Sequence, residues 1–143
     1  MLLAYSDASY GTAYDGKSYT GWVVMQYGSA ISWASTVQKC TAQSTIKLEL
    51  IAASEVSKEL AWLEKLWKEV IGTPQIPILY CDNQPTIDLI HNPKHHSKAK
   101  HINIQYFYMR NNMVKAGRLQ VEHIPGENQL ADILTKQLLY DKY

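Results

Sequence analysis

The sequence predicts an α/β domain: a mixed five-stranded sheet, three antiparallel strands and then parallel strands, with helices on both faces. Three observations predict it. Residues 2–34 carry short apolar runs divided by turn clusters. Residues 44–70 switch to the helical period, and residues 76–81 then form an apolar run with the length of a buried strand. A strand, a long crossover helix and a second buried strand imply a parallel pair within one sheet.

The elements follow in order. Residues 2–6 read as the first strand, ending at Asp7. Residues 11–17, with Asp15-Gly16, are a turn cluster, and 19–27 make the second strand. Gly28-Ser29 is a tight turn and 30–34 the third strand, so the opening is an antiparallel meander. In the long helix, Ile46, Ala53, Val56, Leu60, Leu63, Trp67 and Val70 keep helical spacing. Ser44 or Thr45 caps its start, and Gly72-Thr73-Pro74 stops it. A short helix is expected over 83–90, another over 101–116, a strand over 118–124 and a final helix over 128–139. With no internal repeat and no linker, residues 1–143 read as one domain.

Composition narrows the function classes. Hydrophobic residues make up 46% and charged residues 19%, the balance of a globular chain and not of a disordered one. The formal net charge of +1 excludes a strongly basic coat but leaves room for a local basic face. No apolar run reaches the ~18 residues of a membrane helix, so no membrane partner is expected. Nothing after Met1 has the shape of a secretory signal. Cys40 and Cys81 form no C-x-x-C pair and read as reduced thiols.

Four carboxylates stand in unusual places. Glu49 lies in line with the apolar stripe of the long helix, where a first-turn Glu would otherwise serve the helix dipole and lean into solvent. Asp7 ends the first strand, and Asp82 ends the strand after the helix. Taken singly, Asp7 is ordinary turn chemistry and Asp82 an N-cap. Taken together they matter, because ligand sites in open α/β sheets lie beyond the carboxyl ends of parallel strands. Glu49 can face that edge, and Asp132 in the final helix is a candidate fourth, although a first-turn Asp also suits the dipole. Such a cluster cannot stay ionised without a cation. Its oxygens suit Mg²⁺ or Mn²⁺ and not Zn²⁺. Carboxylates holding two hard cations are an apparatus for phosphodiester hydrolysis.

One segment is basic. From His91 to Lys115 there are five Lys or Arg and four His, with no Asp or Glu, and Tyr106, Phe107 and Tyr108 lie among them. Such a run is either a solvated face or a phosphate-holding groove beside the acidic site.

Four stretches, read together and in order, resemble a ribonuclease H domain. They are Tyr5-Ser6-Asp7-Ala8-Ser9, Ser44-Thr45-Ile46-Lys47-Leu48-Glu49-Leu50-Ile51-Ala52, Tyr80-Cys81-Asp82-Asn83-Gln84 and Asn128-Gln129-Leu130-Ala131-Asp132-Ile133-Leu134-Thr135-Lys136. More narrowly, the chain is similar to the RNase H domain of Ty1/copia-type retrotransposon polyproteins, over essentially its whole length. The resemblance implies a catalytic, metal-holding set of Asp7, Glu49, Asp82 and Asp132 with two Mg²⁺ ions, for which Mn²⁺ can substitute. It implies cleavage of the RNA strand of an RNA/DNA hybrid, an adjacent reverse transcriptase domain, and a cytoplasmic setting inside virus-like particles. It assigns substrate contacts to Ser9, Tyr10, Ser44, Asn83 and Gln84, and the basic run adds Lys98 and Lys100. Selectivity for RNA would come from 2′-hydroxyl contacts.

The sequence also departs from the family pattern. Leu48 replaces a small residue before the catalytic Glu, and Ile46 replaces an amide. The loop before the last Asp, His123-Ile124-Pro125-Gly126-Glu127-Asn128, is short, leaving His123 or Glu127 as candidates for product release and predicting slower turnover. The alternative is a weak or inactive domain of the same fold that binds hybrids or serves as a structural module. A transposase-like nuclease would share the carboxylates but prefer DNA. A glycosidase would need an aromatic sugar cleft, whereas Trp22, Trp33, Trp62 and Trp67 fall at core-like positions.

Overall fold

Three strands open the chain because residues 2–37 alternate apolar and small polar side chains without a helical period. β1 (Leu2–Ser9), β2 (Tyr19–Gln26) and β3 (Ser29–Val37) form the antiparallel meander. The computed structural model describes residues 1–9, 16–38, 44–92 and 106–135. The segment 93–105, which holds Lys98, Lys100 and most of the basic run, lies outside the described residues, as do Tyr10 and Cys40.

The long helix α1 (Thr45–Ile71) starts where expected. Ser44 is the N-cap, its side chain accepting from the Lys47 N–H at 3.2 Å. Gly72 ends the helix at φ 87°, a left-handed conformation that glycine adopts without a Cβ clash, and its N–H donates to Lys68 O. The chain crosses back into β4 (Ile78–Cys81), parallel to β1, and then β5 (Gln120–His123), parallel to β4. The sheet order is β3-β2-β1-β4-β5. Between β4 and β5 lie α2 (Gln84–His91) and a π-helical segment, Tyr108–Val114.

The core lies between the sheet and α1. Leu2, Ala4, Val24 and Leu79 pack with Leu50, Ala53, Val56 and Leu60, joined by Met109, Met113 and Tyr106. On the opposite face the chain returns as two short 3₁₀ turns, Gly126–Asn128 and Leu130–Leu134. The second packs onto β2 at Gly21.

Several expectations need correction. The helix expected over 128–139 is 3₁₀ in its described part, because the chain closes with short bonds from Asp132 N to Gln129 O and from Thr135 N to Asp132 O. Within the helix expected over 101–116, Tyr108–Val114 is π-type, with Lys115 N donating to Arg110 O at its end. Tyr106 is 2% exposed and belongs to the core, not to a basic surface. Trp33 and Trp62 are exposed, at 63% and 58%. Trp33 stands on an edge strand, and Trp62 falls off the buried stripe of α1.

Gly21 yields the first prediction. A Cβ there would lie 2.7 Å from Thr135 Cγ2 and 2.8 Å from Leu134 Cβ. Gly21→Ala should therefore destabilise the domain by about 1–3 kcal/mol, read from urea unfolding.

A candidate acidic metal centre at the strand ends

The parallel register of β1 and β4 builds the site. Leu3, Ala4 and Tyr5 pair with Ile78, Leu79 and Tyr80. The same offset sets Ser6 beside Cys81, where Oγ and Sγ are 3.4 Å apart. One step further it brings Asp7 level with Asp82. Along β1, side chains alternate between faces, so Asp7 points away from the face that Leu2 and Ala4 bury against α1. Residues 130–135 cover that opposite face and bring Asp132 to it.

Asp7, Asp82 and Asp132 each offer a carboxylate oxygen within 4.8 Å of the others. Asp7 and Asp132 are buried, at 2% and 5% exposure, and Asp82 is half-buried. Asp82 does not cap α2. Asn83 does, its Oδ1 accepting from Thr86 N at 3.0 Å and from Thr86 Oγ1 at 2.8 Å.

Glu49 lies outside this 4.8 Å group, buried at 4% exposure on α1. It stands in the second turn and not the first, because the helix begins at Thr45. Its charge is nevertheless felt at the site. The Cys81 thiol is pushed up to about 12, chiefly by burial; the Ser6 hydrogen bond acts to lower it, and the negative charges of Glu49, Asp82 and Asp7 act to raise it. Cys81 is a free, buried thiol beneath the carboxylates.

Two positioning residues escaped the sequence reading, although both lie in the 128–136 stretch that carries Asp132. Thr135 Oγ1 donates to Asp7 Oδ2 at 2.6 Å and ties the final segment to β1. Gln129 donates from Nε2 to Ser6 O at 2.9 Å and accepts from Ala131 N, which seats the turn holding Asp132. Their signal was a polar residue that folding must bury.

The other candidate contacts are scattered around this centre. Ser9 ends β1 and is buried. Ser44 is exposed at the start of α1. The Gln84 amide donates to Asp88 Oδ1 at 2.8 Å, along its own helix. His123 pairs in register with Cys81, and Ile124 N donates to Cys81 O at 2.9 Å. This carries the 124–128 turn past the site, where a Cβ on Gly126 would be 3.8 Å from Asp82 Oδ2. Glu127 is the next residue and is exposed.

The donor set is chemically plain. Three carboxylates at short range suit a hard divalent cation with oxygen ligands, and no Cys or His joins the cluster among the described residues. Like charges this close disfavour joint ionisation, and a divalent cation removes that penalty.

No protein-family profile matches the chain. It is 39% identical over 144 residues to the Pol polyprotein of transposon TNT 1-94 from Nicotiana tabacum, covering 100% of this chain and 11% of that protein. It is 40% identical over 139 residues to the Pol polyprotein of transposon RE1 from Arabidopsis thaliana, covering 96% of this chain and 9% of that protein. The chain thus spans about a tenth of the length of these relatives. Among solved structures it is similar to the N-terminal RNase H domain of a Mycobacterium tuberculosis protein, with TM-score 0.66, 12% identity and coverage of 94% and 89%. LC11-RNase H1 in complex with an RNA/DNA hybrid gives TM-score 0.62, 17% identity and coverage of 94% of both chains. Foamy virus protease-reverse transcriptase gives TM-score 0.64 and 14% identity, over 94% of this chain and 20% of that one.

The geometry of the acidic centre makes two predictions. Asp82→Asn removes one of three crowded charges. It should raise the stability of metal-free protein by ~1 kcal/mol or more while weakening Mn²⁺ binding, two opposite signs read by melting and by calorimetry. Cys81 should resist alkylation in folded protein at pH 8, because a thiol near 12 holds almost no thiolate there. Urea should expose it to fast reaction, measured in a Cys40→Ser background so that one thiol is counted.

Proposed function

The chain is homologous to a segment of Ty1/copia retrotransposon Pol polyproteins and has the ribonuclease H fold, and from that premise we propose that it hydrolyses the RNA strand of RNA/DNA hybrids. The observation that carries the reading is the meeting of Asp7, Asp82 and Asp132 at the carboxyl ends of paired parallel strands. In this reading Asp7, Glu49, Asp82 and Asp132 hold two divalent ions, Mg²⁺ by preference. Bound there, the ions supply an activated water and a counter-charge for the leaving oxygen of the phosphodiester.

The chain's own residues prepare that chemistry. Thr135 fixes the orientation of Asp7, and Gln129 fixes the turn that presents Asp132. A fixed carboxylate loses no side-chain freedom when a cation arrives. Gly126 leaves the space beside Asp82 open, and its lack of a side chain suits an approaching backbone.

Substrate is held around this centre. Ser9, Gln84 and Tyr10 are the candidates for ribose 2′-hydroxyl contacts. Gln84 must leave Asp88 to make one. Asn83 keeps its carbonyl oxygen on Thr86, so its amide nitrogen is the group that donates to a base edge. Ser44 accepts from Lys47, and its hydroxyl proton is the group that meets a DNA phosphate. Lys98 and Lys100 add phosphate contacts in this reading. His123 and Glu127, on either side of the turn beside Asp82, assist product departure. LC11-RNase H1 has been solved with an RNA/DNA hybrid and the foamy virus enzyme joins protease to reverse transcriptase; this supports the hybrid as substrate and a neighbouring reverse transcriptase domain.

A second reading has its own observation. Ile46 packs against the core, so its side chain does not replace the amide contact that the family pattern places there. A weak enzyme or a hybrid-binding module would follow if that contact mattered.

The test is cleavage of labelled RNA/DNA hybrid, single-stranded RNA, double-stranded RNA and duplex DNA, with Mg²⁺, Mn²⁺ or EDTA. The expected result is RNA-strand cleavage in the hybrid alone, dependent on metal and reduced at least ~100-fold by Asp132→Asn. Hybrid binding without cleavage would favour the second reading.

A further inference from the structure

Asp7 and Glu49 stand on different elements, β1 and α1, and one buried amide bridges those elements. Gln38 directly follows β3 and is 4% exposed. Its N–H donates to Ser18 O at 2.8 Å, which carries the β2–β3 pairing one step past the strands. Its Nε2 donates to Thr20 Oγ1 at 2.8 Å and, over a longer 3.4 Å, to Leu48 O. Thr20 is fully buried and pairs with Ala8, the residue after Asp7. Leu48 O belongs to the peptide unit that joins Leu48 to Glu49 on α1. The amide therefore touches both the strand register that fixes Asp7 and the peptide that carries Glu49.

The orientation of this amide is set by its partners. A carbonyl oxygen only accepts, so Leu48 O requires the Nε2 side of Gln38. Oε1 is then buried with no hydrogen-bond partner among the described residues. A buried acceptor without a partner opposes folding. Methionine would fill a similar volume at 38 without that penalty. What glutamine adds here is the donor, and the donor's second acceptor is the Glu49 peptide. Glu49 itself lies outside the 4.8 Å group of Asp7, Asp82 and Asp132. Its reach to that group depends on where this turn of α1 sits over the sheet.

We propose that Gln38 is a positioning residue for Glu49. It ties the Leu48–Glu49 peptide to Thr20 and so sets how far the Glu49 carboxylate stands from the three aspartates. The proposal rests on the reading of these four carboxylates as one divalent-metal site. Gln38 is not a ligand in that site; it acts through Glu49 alone. Groups that orient metal ligands characteristically cost tenfold or more in metal affinity when removed.

The test is a double-mutant cycle on Mn²⁺ binding, read by calorimetry on protein without nucleic acid. The unaltered chain, Gln38→Met, Glu49→Gln and the double variant are compared. Gln38→Met should weaken Mn²⁺ binding at least tenfold where Glu49 is present, and less than twofold where Glu49→Gln has already removed the carboxylate. Thr20→Val takes away the other acceptor, should shift binding in the same direction, and replaces Gln38→Met if that variant does not fold. Leu60→Ala, a core change further along α1, should lower the melting temperature without moving Mn²⁺ affinity. Circular dichroism confirms that each variant is folded. Unchanged Mn²⁺ binding in folded Gln38→Met overturns the proposal. So does an equal loss with and without Glu49, which marks a general loosening of the site, and so does a loss of the same size in Leu60→Ala. Failure of the hydrolase reading has a different signature: the unaltered chain would leave hybrid RNA uncut while the coupling between Gln38 and Glu49 in Mn²⁺ binding stays intact. No Mn²⁺ binding by the unaltered chain overturns both.

Discussion

The parallel pairing of β1 with β4 is the constraint on which the rest depends. It sets Asp7 level with Asp82, and every other feature of the site is arranged around those two side chains. The α1 crossover enforces that pairing, and its buried half supplies most of the core beneath it. Thr135 and Gln129 then tie the far end of the chain to β1 and add Asp132. Gly21 gives that last segment room to lie flat on β2. The arrangement opposes stability locally, because like charges are brought together where solvent is scarce. A fold keeps such a feature when the cluster has work to do, and the surrounding packing must offset the repulsion.

Much of this was legible in the sequence because it follows from period and position. The switch from alternation to helical spacing at 44 located the crossover, and the crossover implied the parallel strands. Asp7 and Asp82 could then be placed at one edge without coordinates. What resisted was decided by tertiary packing. Nothing local separates 3₁₀ from α-helix at 130–134; the tight seat on Gly21 and the short bonds to Gln129 and Asp132 decide it. Asn83 rather than Asp82 caps α2, a choice between adjacent Asx residues that capping preference cannot make. Trp33 and Trp62 read as core residues because they are large and apolar, yet one lies on an edge strand and the other off the stripe. Thr135 is a small hydroxyl whose role appears only once β1 stands beside it.

The two ends of the sheet differ in chemistry. At the carboxyl ends of β1 and β4 three carboxylates meet. At the amino end of β1 the surface is apolar, with α1 running on beyond its buried half. The length of α1 links the two, since a single helix carries Glu49 in its second turn and exposed apolar residues in its last ones.

The central claim is that the carboxylates of Asp7, Asp82 and Asp132 form a divalent-cation site. The most direct measurement is a crystal structure of the chain grown with Mn²⁺ and recorded at a wavelength where manganese scatters anomalously. The account predicts an anomalous peak ligated by oxygens of all three residues, with Glu49 turned toward a second ion or toward the first. A map without that peak, or with manganese bound only elsewhere, would contradict it.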